Sequence, residues 1–140
     1  MNTTALTEKD RALVQAAQSI IEKLYTYEKH HIGCALRTKE GKVYTGVHVE
    51  ANVGRITVCA EAMTLGKALS EGETEFTAIA AVRHPGPDEE DRTIKVVAPC
   101  GMCRELLSDY CPGIEVIIPM GDDLAKCAVE ELLPLKYNRE

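Results

Sequence analysis

Val58-Cys59-Ala60-Glu61, taken with Pro99-Cys100-Gly101-Met102-Cys103-Arg104, is the stretch that decides how this chain is read. Cys100 and Cys103 form a Cys-x2-Cys pair, and Cys59 supplies a third thiol from a distant part of the sequence. Three thiolates hold Zn²⁺ tetrahedrally with one position left for water, whereas a structural zinc site closes with four protein ligands. Glu61 stands two positions after the first thiol, where a carboxylate that is not itself a ligand can move protons. Two plainer readings compete. A structural zinc needs a fourth ligand, and His84 lies in a Pro/Gly loop far from both halves. A redox Cys-x-x-Cys turn accounts for Cys100 and Cys103 but leaves Cys59 and Glu61 without a role. A catalytic zinc uses all four residues.

Outward from this centre, apolar residues from Val58 to Ser70 spread round most of a helix, so the spacing predicts a largely buried one closed by Gly72. Cys59 then falls in its first turn, where unpaired N–H groups and the helix dipole favour a thiolate. Upstream, Gly33–Arg37 and Val43–Glu50 flank the polar Lys39-Glu40-Gly41-Lys42, a hairpin signal with Gly41 placed for a positive φ. On the second strand, His48 and Glu50 share a face by the two-residue period. Before the hairpin, Leu13, Ala16, Ala17, Ile20, Ile21 and Leu24 mark an amphipathic helix over about 7–27, with Thr7 and Asp10 spaced as a capping box. Phe76–Val82 is a nearly continuous apolar run, as in a strand covered on both faces. The Pro/Gly and acidic stretch 84–91 reads as a solvated loop. Ile94–Ala98 and Ile114–Ile118 read as strands, with a helix over Gly101–Asp109 between them. Asp122 or Asp123 is placed to cap a final helix ending at Pro134. Strands alternating with helices predict one layered α/β domain spanning 1–140.

Composition narrows the function. The chain has 140 residues, 45% of them hydrophobic and 27% charged, within the range of a globular domain with a real core. A net charge of −6 repels polyphosphate, and no Trp offers a stacking platform, so a small-molecule substrate is expected and no nucleic acid. No apolar run approaches 18 residues and 1–10 is polar, so neither a membrane span nor a signal peptide is expected. Six cysteines without an export signal point to a cytoplasmic protein with free thiols, and Cys34, Cys111 and Cys127 read as buried apolar residues.

Cys-Ala-Glu followed by Pro-Cys-Gly-x-Cys-Arg matches the known zinc-deaminase signature and resembles the cytidine deaminase superfamily. The resemblance runs from about Tyr25 to the C-terminus. It implies a three-layer α/β/α fold with a five-stranded mixed sheet and zinc held by Cys59, Cys100 and Cys103 between two helix N-termini. Glu61 would shuttle protons from water to the ring nitrogen and the departing ammonia of a cytosine-bearing nucleoside or nucleoside-like antibiotic. Gly46-Val47-His48-Val49-Glu50 resembles the family's Gly-x-Asn-x-Glu strand, whose Asn and Glu hold ribose; His48 stands where Asn is usual. His30 stands where the family has a Phe near the base, and Ala60 also falls among the substrate-contacting positions.

Two family positions for a charge-balancing arginine hold Ala62 and Met102 instead, leaving Arg104 as the nearest cation or as a surface helix residue. Glu131-Leu132-Leu133-Pro134-Leu135-Lys136-Tyr137 resembles the ending of the blasticidin S deaminase branch, with Tyr137 at the same spacing. The resemblance further implies a homotetramer whose tails act across interfaces. Deamination of another aminated heterocycle and a zinc-stabilised scaffold without activity are the alternatives, and the presence of Glu61 argues against the scaffold.

Overall fold

Gly33 and Gly46 show how the layers meet in the computed structural model, which describes residues 1–139. A Cβ on Gly33 would lie 2.5 Å from the Ala17 carbonyl oxygen of the first helix, and one on Gly46 would lie 2.5 Å from the Thr64 Oγ1 of the second. The two glycines therefore let helices sit close against opposite faces of one sheet.

Helix α1 (Glu8–Leu24) starts as its sequence dictates. Asp10 N–H donates to Thr7 Oγ1 and Thr7 N–H donates to the Asp10 carboxylate, completing the capping box. Strands β1 (Ile32–Thr38) and β2 (Val43–Val47) form the expected antiparallel hairpin, with Gly41 at φ +93°. Helix α2 (Ala60–Ser70) leads through Gly72, at φ +92°, into β3 (Phe76–Arg83). Then come β4 (Lys95–Val97), α3 (Gly101–Tyr110), β5 (Glu115–Met120) and β6 (Asp123–Ala128), followed by a 3-10 turn over Val129–Leu132.

The sheet runs β2-β1-β3-β5-β6, with β4 pairing β3. One edge of β3 is taken by β1, so β4 and β5 share the other. Ala81–Arg83 pair with β4 antiparallel, and Ala78 and Ile79 pair with β5 in parallel. The sheet is therefore mixed, with six strands in all: five across at the level of β5 and four at the level of β4. Alternating side chains divide the core in two. Ala35, Ala78, Ala80, Val82 and Ile117 pack under α1, with Leu13, Ala17 and Ile21. Cys34, Leu36, Ile79, Val116 and Ile118 pack on the other face, with Ala60 and Leu65 of α2 and Leu107 of α3. That is the three-layer α/β/α arrangement.

The final helix expected after Asp122–Asp123 does not form. Gly121 (φ +61°) and Asp122 make a two-residue hairpin instead, and β6 pairs with β5 from Met120↔Asp123 to Glu115↔Ala128. The Ala- and Leu-containing run Leu124–Ala128 suits a helix by local propensity, but the open edge of β5 offers a full ladder of backbone hydrogen bonds and wins. Thr4 then bridges the outer edge of β6 at Lys126. Cys34, Cys111 and Cys127 are buried and free, as expected. Among the described residues no helix is long and apolar enough to cross a membrane.

Candidate active site

Two helix starts bring the thiols together. Cys59 is the N-cap of α2, one position earlier than its expected first-turn place, and Cys100 is the N-cap of α3. Cys103 lies in the first turn of α3. Cys59 Sγ and Cys100 Sγ are 3.6 Å apart, and all three sulfurs lie within 4.8 Å of one another. Tetrahedral zinc with Zn–S near 2.3 Å sets sulfurs about 3.8 Å apart, so this donor set fits the ion. Soft thiolates at two positive helix ends also suit a cation that needs its ligands deprotonated.

Glu61, the second residue of α2, is only 6% exposed. Burial pushes its carboxyl above the ordinary value, tempered by a hydrogen bond with Cys103. Burial, Glu61 and the other two thiols push Cys103 upward. Burial also raises Cys59. Cys100 goes the other way: burial opposes it, but the N–H groups of Cys103 and Met102 and the neighbouring thiols hold it below the usual thiol value. Four acidic groups thus converge, and among the described residues no lysine or arginine side chain bonds any of them.

Arg104 is neither at the thiols nor a free surface residue. Its Nε donates to the Pro99 carbonyl at 2.8 Å and a terminal nitrogen donates to the Leu132 carbonyl at 3.2 Å. It ties the loop before Cys100 to the 3-10 turn after β6. Met102 points to solvent. His84, the sequence candidate for a fourth ligand, stacks on Tyr25 with ring centroids 3.7 Å apart and takes no part in the thiol cluster.

Beyond β2 the chain pairs once more, Val49 with Val58, through N–H···O bonds of 2.9 and 3.0 Å. This antiparallel register sets His48 opposite Cys59 and Glu50 opposite Thr57, carrying both toward the thiol end of α2. Glu50 lines an open groove of about 510 Å³ with Glu28, Lys29, His31, Ala51 and Asn52. His48 Nε2 lies 2.7 Å from Glu50 Oε1. His30, half-buried, donates from Nδ1 to the His48 carbonyl at 2.8 Å. Ala60 is fully buried, main chain included, in the core with Leu65 and Leu107, so the structure does not present it to a ligand as the resemblance implied.

Tyr137 is not brought to the thiols within this chain. It is 80% exposed and borders a concavity of about 620 Å³ with Glu105, Asp109, Tyr110 and Lys136, at the C-terminal end of α3. Ten residues of helix, about 15 Å, separate that end from Cys100.

His31 was not singled out in the sequence. Its ring sits 5.1 Å from that of His48 and 6.2 Å from that of Tyr27, and its Nε2 accepts the Glu28 N–H at 2.7 Å. All four histidines of the chain are linked here, His30 to the His48 carbonyl, His48 to the His31 ring, and His31 and His84 to Tyr25, and only the adjacent pair His30-His31 hints at this in the sequence.

Residues 7–118 match the family model of the cytidine and deoxycytidylate deaminase zinc-binding region. The chain belongs to this deaminase family. It is 52% identical over 139 residues to a blasticidin-S deaminase of Bacillus cereus, covering 99% of both chains. A cytidine deaminase of Halalkalibacterium halodurans is 33% identical over 132 residues, 91% of this chain and 93% of that one. The solved cytidine deaminase of Burkholderia pseudomallei superposes with a TM-score of 0.74 at 35% identity, covering 94% of this chain and 100% of that one. As a member of the family, the protein is a zinc-dependent hydrolytic deaminase.

Proposed function

We propose that this single-domain protein removes the exocyclic amine from the cytosine ring of a nucleoside or nucleoside-like antibiotic, releasing ammonia and leaving the uracil form. The observation that carries this reading is the convergence of Cys59, Cys100 and Cys103 with the buried Glu61 at two helix N-termini. The three cysteines hold the zinc. When bound, the ion supplies Lewis acidity that makes a nucleophile of water near neutral pH.

Glu61 does the proton work. Its carboxylate takes a proton from the attacking water, delivers it to the ring nitrogen beside the carbon under attack, and then carries the second water proton to the leaving amine. Burial of Glu61 keeps these transfers away from bulk water. His30 bounds the base side of the pocket, and Glu50 takes a donor from the sugar side, with His48 beside it. The 52% identity to the Bacillus cereus blasticidin-S deaminase favours an antibiotic substrate over the common nucleosides.

Tyr137 lies far from the thiols of its own chain, which supports an assembly in which the tail completes a neighbour's pocket, a homotetramer as in the resemblance. The acidic composition and free thiols support a cytoplasmic protein without a nucleic-acid partner. The zinc-loaded protein is to be assayed for ammonia release on cytidine, deoxycytidine, cytosine and blasticidin S. Blasticidin S turnover at least tenfold above cytidine is expected. Equal turnover of all four compounds would remove the sugar-side reading, and release from none would remove the activity.

A further inference from the structure

We propose that His48 is a positioning residue that holds the Glu50 carboxylate toward the sugar side of the substrate and does not touch the substrate itself. This rests on the reading of Glu50 as the sugar-side acceptor. One donor at this corner has no choice. The His31 backbone N–H points at His48 Nδ1 from 2.9 Å, and a backbone N–H can only donate. Nδ1 therefore presents its lone pair, and the proton of the neutral ring sits on Nε2. Nε2–H in turn donates to Glu50 Oε1 at 2.7 Å, a charge-assisted bond.

The main chain of His48 is committed too. Its N–H donates to the Ile32 carbonyl at 2.9 Å, and its carbonyl accepts from His30 Nδ1 at 2.8 Å. At 8% exposure the ring has no polar edge left for a ligand. Glu50 differs. Its N–H is held by the Lys29 carbonyl at 2.9 Å and one carboxylate oxygen is engaged by His48, while the other takes no donor among the described residues. The side chain is fixed at one oxygen and open at the other. Such a site accepts one donor, a hydroxyl or an ammonium group, from the part of the substrate beyond the base.

The same tautomer excludes another reading of this corner. His31, His48 and Glu50 offer ligand atoms within 4.8 Å of one another, as a second metal site would. A metal at His48 Nε2 needs the lone pair that the His31 N–H has moved to Nδ1. The cluster is a hydrogen-bond relay.

Two measurements on the zinc-loaded protein separate this proposal from the sugar reading beneath it. Long-range ¹H–¹⁵N NMR of histidine-labelled protein should show His48 protonated at Nε2 and bare at Nδ1, with the Nε2–H resonance moving in Glu50→Ala. An Nδ1-protonated His48, or an Nε2–H unaffected by loss of Glu50, overturns the positioning role without reference to any substrate.

The kinetic arm compares kcat/KM on the sugar-bearing substrate with that on free cytosine. Loss of one charge-assisted hydrogen bond predicts that His48→Ala lowers this ratio about tenfold in wild type and adds nothing in a Glu50→Ala background. His48→Gln, whose amide can donate to Glu50, should restore part of the ratio and serves as the test if His48→Ala does not fold. A full tenfold loss on top of Glu50→Ala would show that His48 meets the substrate directly and overturn the proposal. A Glu50→Ala ratio equal to wild type removes the sugar reading alone, and the NMR result then decides whether His48 holds Glu50.

Discussion

The sheet buries an acid on each face, and the two are treated in opposite ways. Under α1, Asp10 is fully buried but surrounded by partners: the Thr7 N–H, Arg37 at 3.2 Å and Lys126 at 2.8 Å. Burial works to raise its pKa, yet Lys126 and Thr7 outweigh it and bring the carboxyl down to about 2. Against α2 and α3, Glu61 is nearly as buried and is pushed up by that burial, because no cation stands beside it and a hydrogen bond with Cys103 only tempers the rise. Buried charges survive when paired, and an unpaired cluster of one sign is costly unless a counter-ion joins it. The Asp10 face is complete within the protein, so it belongs to the fold. In the proposed function the Glu61 face is a set of anionic ligands and a proton carrier arranged for a dication, so it would belong to the reaction.

The contrast is sharpest at Glu61. Glu61→Gln preserves shape and should keep about one zinc per chain while lowering kcat by about 10²–10⁴-fold, the usual worth of a positioned proton carrier. Turnover at the wild-type rate would show that the unpaired acid has no chemical task. Cys103→Ala should reduce bound zinc to a small fraction per chain and lower the melting temperature, since metal-binding free energy is partly folding free energy. Full zinc occupancy in that variant would dissolve the three-thiolate grouping.

The opposite face should respond only in stability. Asp10→Asn leaves Arg37 and Lys126 facing a neutral group and should cost about 3 kcal/mol, with kcat and zinc content unchanged. Lys126 keeps its second partner, Glu115, at 3.1 Å, which limits the loss. The cost carries a pH signature. A carboxyl whose folded pKa lies below its ordinary 3.8 stabilises the fold above that value, and the contribution is lost as pH falls toward about 2. Denaturation of wild type beside Asp10→Asn should therefore show a stability gap that closes between about pH 4 and pH 2. A gap that does not depend on pH would mean that Asp10 acts through packing alone.

What could be read from the sequence was what is local or chemically unmistakable. The thiol spacing, the capping box at Thr7 and Asp10, the hairpin around Gly41 and the buried run of β3 each announce themselves within a few residues. The last strand did not, because Leu124–Ala128 has helical propensity and becomes β6 only through pairing with β5. A Gly121-Asp122 hairpin signal was present but weaker than the apparent helix cap. Arg104 could be read as a charge-balancing cation or as a surface residue because its anchor, the Leu132 carbonyl, lies 28 residues away. His48 looked free to meet a hydroxyl because the group that fixes its tautomer is the His31 backbone, 17 residues upstream. Such long-range commitments leave no periodic trace.

The central claim is that three thiolates hold the zinc and leave its fourth position to a light atom, beside Glu61. Zinc X-ray absorption on the purified, metal-loaded protein tests it directly. Three sulfur scatterers at about 2.3 Å and one oxygen at about 2.0 Å are expected, with the sulfur count falling on Cys59→Ala, Cys100→Ala or Cys103→Ala. Four sulfurs, or two sulfurs with two imidazoles, would contradict it.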